Sequence, residues 1–139
     1  MKIFFQYWVP VVLYMFGIFY LSSLSSPEEH LPSFDLPLND KILHGIEYTI
    51  LGILCFRAFK NGGSALSPQR AFWLTIITTA LFAVTDEFHQ SFVPMRQADP
   101  LDLVADILGS TVGALGGLRI YHQPEPSMYF FETWRKFFL

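Results

Sequence analysis

Residues 71–93 read AFWLTIITTALFAVTDEFHQSFV. Positions 71–85 carry no charge, and the closing turns then bring Asp86, Glu87 and His89 together. A helix of about 20 apolar residues crosses the roughly 30 Å of hydrocarbon in a bilayer, so this stretch reads as a membrane span. Ionisable groups at one end of such a span are costly in hydrocarbon, which marks Glu87 and His89 as functional.

Three further apolar runs flank it, near Ile3–Leu24, Ile42–Phe59 and Leu101–Tyr121. The spans are therefore about 3–24, 42–59, 71–93 and 101–121, within one domain of 139 residues that is 52% hydrophobic and 15% charged. The expected fold is an all-α integral membrane four-helix bundle. A soluble bundle would need a charged outer face with the helical period, and these runs have none. Lys2, an apolar stretch and Ser22, Ser23, Ser25 and Ser26 have the order of a signal peptide. The stretch exceeds the usual h-region of about 7–15 residues, so an uncleaved anchor is expected. Pro10 within it is tolerable where neighbouring helices satisfy the freed carbonyl.

Basic residues set the orientation. With the N-terminus inside, Lys2, Arg57, Lys60, Arg70, Arg119, Arg135 and Lys136 all fall on the inner side, against Lys41 and Arg96 outside. That distribution predicts N-in, C-in. The connection from Ser25 to Lys41 holds Pro27, Glu28, Glu29, Pro32 and Pro37 and reads as a surface loop or lid. Asn61–Gln69, with Gly62, Gly63 and Pro68, reads as plain linker. Met128–Leu139 is too short to span; its aromatics around Glu132, Arg135 and Lys136 suit an interfacial amphipathic segment. A net charge of −3 offers no nucleic-acid surface, and Cys55, the single cysteine, makes no internal disulfide.

In this topology the unusual polar groups gather at the outer end. Span two begins there with Asp40, Lys41, His44 and Tyr48, and span three ends there with Asp86, Glu87, His89 and Gln90. Arg96 and Asp99 lie in the connection, and span four begins with Asp102 and Asp106. Lys41, His44 and Tyr48 share a helical face, as do Asp102, Asp106, Gly109, Gly113 and Gly117. The glycines are spaced for close helix approach, within the bundle or in a homo-oligomer. The pattern implies an outward-facing polar pocket. Three chemistries fit it. Glu87 with His44 or His89 suits acid–base work. The same groups are metal-ligand types, although no spacing fixes a site, so no metal is assigned and the cofactor is left open. Arg96 and Lys41 suit an anionic head group whose tail lies along apolar walls. Plainer roles stand beside these: Asp102 as a helix cap, and Lys41 with Asp40 as a solvated pair.

The run Asp40-Lys41-Ile42-Leu43-His44 with Tyr48 and Gly52, the run Glu87-Phe88-His89-Gln90-Ser91-Phe92-Val93-Pro94 with Arg96, and Asp102, Asp106, Gly109 and Gly113 together resemble the VanZ-like family. These are small bacterial membrane proteins named for an accessory protein that raises teicoplanin resistance. The resemblance runs from Asp40 to Gly117 and implies His44, Tyr48, Glu87, Gln90, Arg96 and Asp102 as the functional set. Two positions depart: the family usually has Gly where this chain has Met95, and commonly Asn where it has Asp106. The implied setting is a bacterial cytoplasmic membrane, with a lipid or lipid-linked envelope component as partner. The resemblance names no reaction. Two functions follow: a binding protein that recognises such a component and alters glycopeptide susceptibility, or a small intramembrane hydrolase using Glu87 and His44 acid–base chemistry on a lipid-linked substrate, with or without a metal.

Overall fold

The structure, a computed structural model, describes residues 2–25, 39–63, 66–96 and 99–122. Four helices follow one another: α1 (Lys2–Ser22), α2 (Asn39–Asn61), α3 (Pro68–Gln90) and α4 (Pro100–His122). They form an all-α bundle without strands among the described residues. Each helix is long and apolar enough to cross a membrane. Polarity is inverted relative to a soluble bundle. Leu13, Phe16, Leu81, Phe88 and Leu108 face outward, while Asp86, Asp102 and Asp106 are buried. Apolar flanks around a charged interior identify a multi-pass membrane protein. The loop with Pro27, Glu28, Glu29, Pro32 and Pro37, the side chain of Asp40 and the interfacial segment Met128–Leu139 lie outside the described residues.

Local chemistry moves the ends of the third span. α3 starts at Pro68 because the Ser67 hydroxyl accepts a hydrogen bond from the Arg70 amide at 3.3 Å, and proline suits a first helical turn. Ser67 and Pro68 are thus a helix start within the stretch expected to be plain linker. At the other end the Ser91 amide closes onto the Glu87 carbonyl, so α3 stops at Gln90 and the chain turns before Val93 completes another helical turn. α2 ends at Asn61, before Gly62 and Gly63, the latter at a φ of 103°.

Alternating helix directions put the start of α1, the end of α2, the start of α3 and the end of α4 together. Cross-helix contacts tie that end: the Arg57 guanidinium lies 4.5 Å from the centre of the Tyr7 ring, and the Lys60 ammonium 4.7 Å from that of Tyr121. Trp8 meets Phe59 edge to face with centroids 5.0 Å apart. Of the expected inner set, Lys2, Arg57, Lys60, Arg70 and Arg119 therefore gather at one end of the bundle, while Arg135 and Lys136 lie outside the described residues.

The central seam is α2 against α4. A Cβ added at Gly109 would run into the Gly45 carbonyl, one at Gly113 into Thr49, and one at Gly52 into the Ser110 backbone. The Thr49 hydroxyl crosses the seam to donate to the Gly109 carbonyl at 3.0 Å. Phe56 packs over Gly117. The glycine stripe is thus filled by α2 of the same chain, because glycine alone lets two backbones approach this closely.

Candidate functional site

The seam carries the polar groups to the other end of the bundle. On α2, Lys41, His44 and Tyr48 follow one another along the face turned to α4 and α3. On α4, Asp102 and Asp106 stand one turn apart on the face that continues into the glycine seam. On α3, Asp86, Glu87 and Gln90 point inward.

At the centre, His44 Nδ1 lies 3.0 Å from Asp106 Oδ1, with His44 6% and Asp106 0% exposed. Glu87 joins them: one ligand-type atom from each of His44, Glu87 and Asp106 lies within 4.8 Å of the others. A carboxylate that accepts a hydrogen bond from Nδ1–H holds the imidazole in the tautomer whose Nε2 carries the lone pair. Glu87 is held by the Asp99 amide, which donates to Oε2 at 3.0 Å. Among the described residues three buried oxygens next to this pair lack hydrogen-bond partners: Glu87 Oε1, Asp106 Oδ2 and the Tyr48 hydroxyl. Buried polar atoms without partners are rare, since each forfeits its hydration, and they concentrate where a ligand is meant to sit.

Above this centre is a charged rim. Lys41 donates to Asp99 Oδ2 at 2.6 Å and to Asp102 Oδ1 at 2.7 Å. Asp99, not Asp102, caps α4: its Oδ1 accepts from the Leu101 amide at 2.8 Å, ahead of Pro100 in the first turn. Asp102 instead spends its carboxylate on Lys41, so its expected capping role passes to Asp99. Hydrogen bonds from Lys41 and then from Leu101 hold the Asp99 carboxyl below the usual aspartate range. With Asp99 40% exposed, this rim pair is screened by solvent.

A second network joins α1 to α3. The Ser22 hydroxyl donates to Asp86 Oδ2 at 2.7 Å, and Gln90 Nε2 donates to Ser22 Oγ at 3.1 Å and to Asp86 Oδ2 at 3.2 Å. Arg96 Nη2 then donates to Gln90 Oε1 at 3.0 Å. Asp86 Oδ1 is a further buried oxygen with no partner among the described residues. Ser22 and Asp86 were not in the expected site set. Their signal was available: Asp86 and Gln90 are one helical turn apart on α3, and Ser22 is a polar residue at the end of an apolar run.

The structure thus divides the expected set. His44, Glu87 and Asp106 form the centre beside Tyr48; Lys41 and Asp102 form the rim; Gln90 and Arg96 belong to the α1–α3 network. His89 joins none of them. Its ring stacks on Phe19 with centroids 4.1 Å apart, and its Nε2 lies 3.0 Å from Ser23 Oγ. At about 100° per residue, His89 points some 200° away from Glu87 around α3.

With this geometry in hand, comparison with known proteins gives two matches. The VanZ/LLP1 family profile matches residues 4–121. An uncharacterized protein of the fission yeast Schizosaccharomyces pombe is 33% identical over 93 residues, 66% of this chain and 54% of that protein. The chain therefore spans about half the length of the curated relative it matches. No solved structure matches the chain.

Proposed function

The chain belongs to the VanZ/LLP1 family, and from that premise we propose that its polar end performs acid–base hydrolysis on an anionic, lipid-linked envelope component. The observation that carries this reading is the buried His44–Asp106 pair with Glu87 beside it. Asp106 orients the imidazole, and His44 Nε2 takes a proton from water as the water oxygen bonds to the carbonyl carbon or phosphorus of the substrate. The bond to the leaving oxygen breaks, and protonated Glu87 gives that oxygen its proton. Arg96 favours an anionic head group: its guanidinium donates to neutral Gln90, one turn from Glu87, and is offset by no carboxylate among the described residues. It stabilises negative charge that develops during the reaction. Lys41 contributes less to anion binding than the sequence suggests, because Asp99 and Asp102 already neutralise it.

The proposed setting is a bacterial cytoplasmic membrane, N-in and C-in, with the polar end outward and the substrate's tail along the apolar flanks. Altered teicoplanin susceptibility is the cellular consequence. A second reading, recognition of the same head group without catalysis, is favoured by Arg96 and needs no proton transfer. Glu87→Gln separates the two, since it keeps size and hydrogen bonding but removes the acid. In a teicoplanin-susceptible bacterium expressing the chain, the variant is expected to lose the tolerance that wild type confers, reflecting a rate loss of about 100-fold or more. Full tolerance with Glu87→Gln would leave recognition alone.

A further inference from the structure

We propose that His44, Glu87 and Asp106 bind one divalent first-row metal ion, Zn²⁺ or Mn²⁺. This rests on the hydrolysis reading and reassigns two of its roles: with the ion bound, His44 and an ionised Glu87 would be ligands, the ion would activate the attacking water, and the proton that water loses would pass to the leaving oxygen. One nitrogen and two carboxylate oxygens, drawn from three different helices, lie within 4.8 Å of one another. An ion with bonds of about 2.0–2.2 Å gathers such atoms with small side-chain movements. The 3.0 Å between His44 Nδ1 and Asp106 Oδ1 suits two neighbouring ligands of one ion as well as it suits a hydrogen bond.

A second observation points to a cation. Asp106 is fully buried and Glu87 only 8% exposed, yet Asp106 Oδ2 and Glu87 Oε1 have no partner among the described residues. An ionised carboxylate oxygen only accepts, so what completes it is a donor or a positive charge. Of the two cations at this end, Lys41 is shared by Asp99 and Asp102, and the Arg96 guanidinium donates to Gln90. A dication matches the two central carboxylates in charge and removes the penalty of burying them unneutralised. Its likeness to catalytic zinc sites, which hold the metal by three side chains and leave a position for water, fits the proposed hydrolysis. The donor set narrows the metal. Soft ions prefer thiolate or thioether, and Mg²⁺ and Ca²⁺ prefer all-oxygen shells, whereas one imidazole with two carboxylates suits Zn²⁺ or Mn²⁺.

The test uses the full chain, purified in detergent, stripped with EDTA and dialysed against Zn²⁺ or Mn²⁺. Metal content is read by elemental mass spectrometry, and ligand type by the visible spectrum after Co²⁺ substitution. Wild type is expected to take up about one ion per chain, with an imidazole–carboxylate spectrum. Glu87→Gln, Asp106→Asn and His44→Ala are each expected to weaken uptake at least tenfold, while His89→Ala matches wild type. Thermal unfolding of each stripped variant checks that it is folded, and added metal should raise Tm in wild type but not in Glu87→Gln. Uptake that is far below stoichiometric in folded wild type, or unchanged in both carboxylate variants, overturns the site. The two proposals fail separately: uptake with tolerance retained in Glu87→Gln sinks hydrolysis alone, and no uptake with tolerance lost sinks the metal alone.

Discussion

The two helix pairings that frame the polar end are built differently. α2 and α4 meet backbone to backbone through Gly45, Gly52, Gly109 and Gly113, and they present His44 and Asp106 from facing positions. α1, by contrast, buries only Val11, Ile18 and Ser22, and it reaches the polar end through Ser22 and Ser23. The comparison teaches where precision resides. The His44–Asp106 pair is fixed by a seam with no room for a side chain, whereas the Asp86–Gln90–Arg96 network is tied to α1 by one hydroxyl, that of Ser22, on a helix that mostly faces outward.

Substitution on the seam should have the largest effect. Gly109→Leu or Gly113→Leu forces the helices apart and is expected to cost at least about 3 kcal/mol, enough to abolish a cooperative thermal transition in detergent. Gly17→Ala and Gly116→Ala, whose added Cβ meets nothing within 4 Å, should be neutral or slightly stabilising on the same measurement. Equal effects at all four positions would dissolve the distinction between the seam and the rest. A smaller loss is expected from Ser22→Ala. It removes the hydroxyl from Asp86 and should cost about 1–3 kcal/mol in thermal unfolding, while divalent-cation uptake at the centre stays intact. Loss of that uptake would join the two networks and defeat the division drawn between them.

The smallest effect is expected in the turn after α3. Met95 has a φ of 65°, a left-handed conformation in which a side chain is disfavoured. The family resemblance puts Gly at this position, and the backbone gives the physical reason. Met95→Gly should raise stability by up to about 1 kcal/mol, since relief of the side-chain clash is partly offset by the freedom that glycine gains in the unfolded chain. A marked loss of stability would mean that the exposed Met95 side chain contributes something the backbone conformation does not require.

Much of this could be read from the chain. The four spans were legible because length and apolarity are all that a bilayer demands of a helix, and the exact ends were not, because Ser67 and Asp99 set them through single hydrogen bonds. The convergence of Lys41, His44, Glu87, Asp102 and Asp106 followed from topology and helical spacing. Chain proximity sets His89 beside Glu87, and the turn of the helix reverses that. The role of Asp86 is not legible although it adjoins Glu87, because its partner Ser22 lies 64 residues away in sequence.

The sequence by itself determined that these helices cross a membrane and that their charged groups collect at one end, since hydrophobic length and helical period are local properties. Only the tertiary structure decided that His44, Glu87 and Asp106 share one centre while Gln90 and Arg96 join α1. Which side chains meet across helices depends on how closely the backbones approach, and at this end that distance is set by the glycine seam.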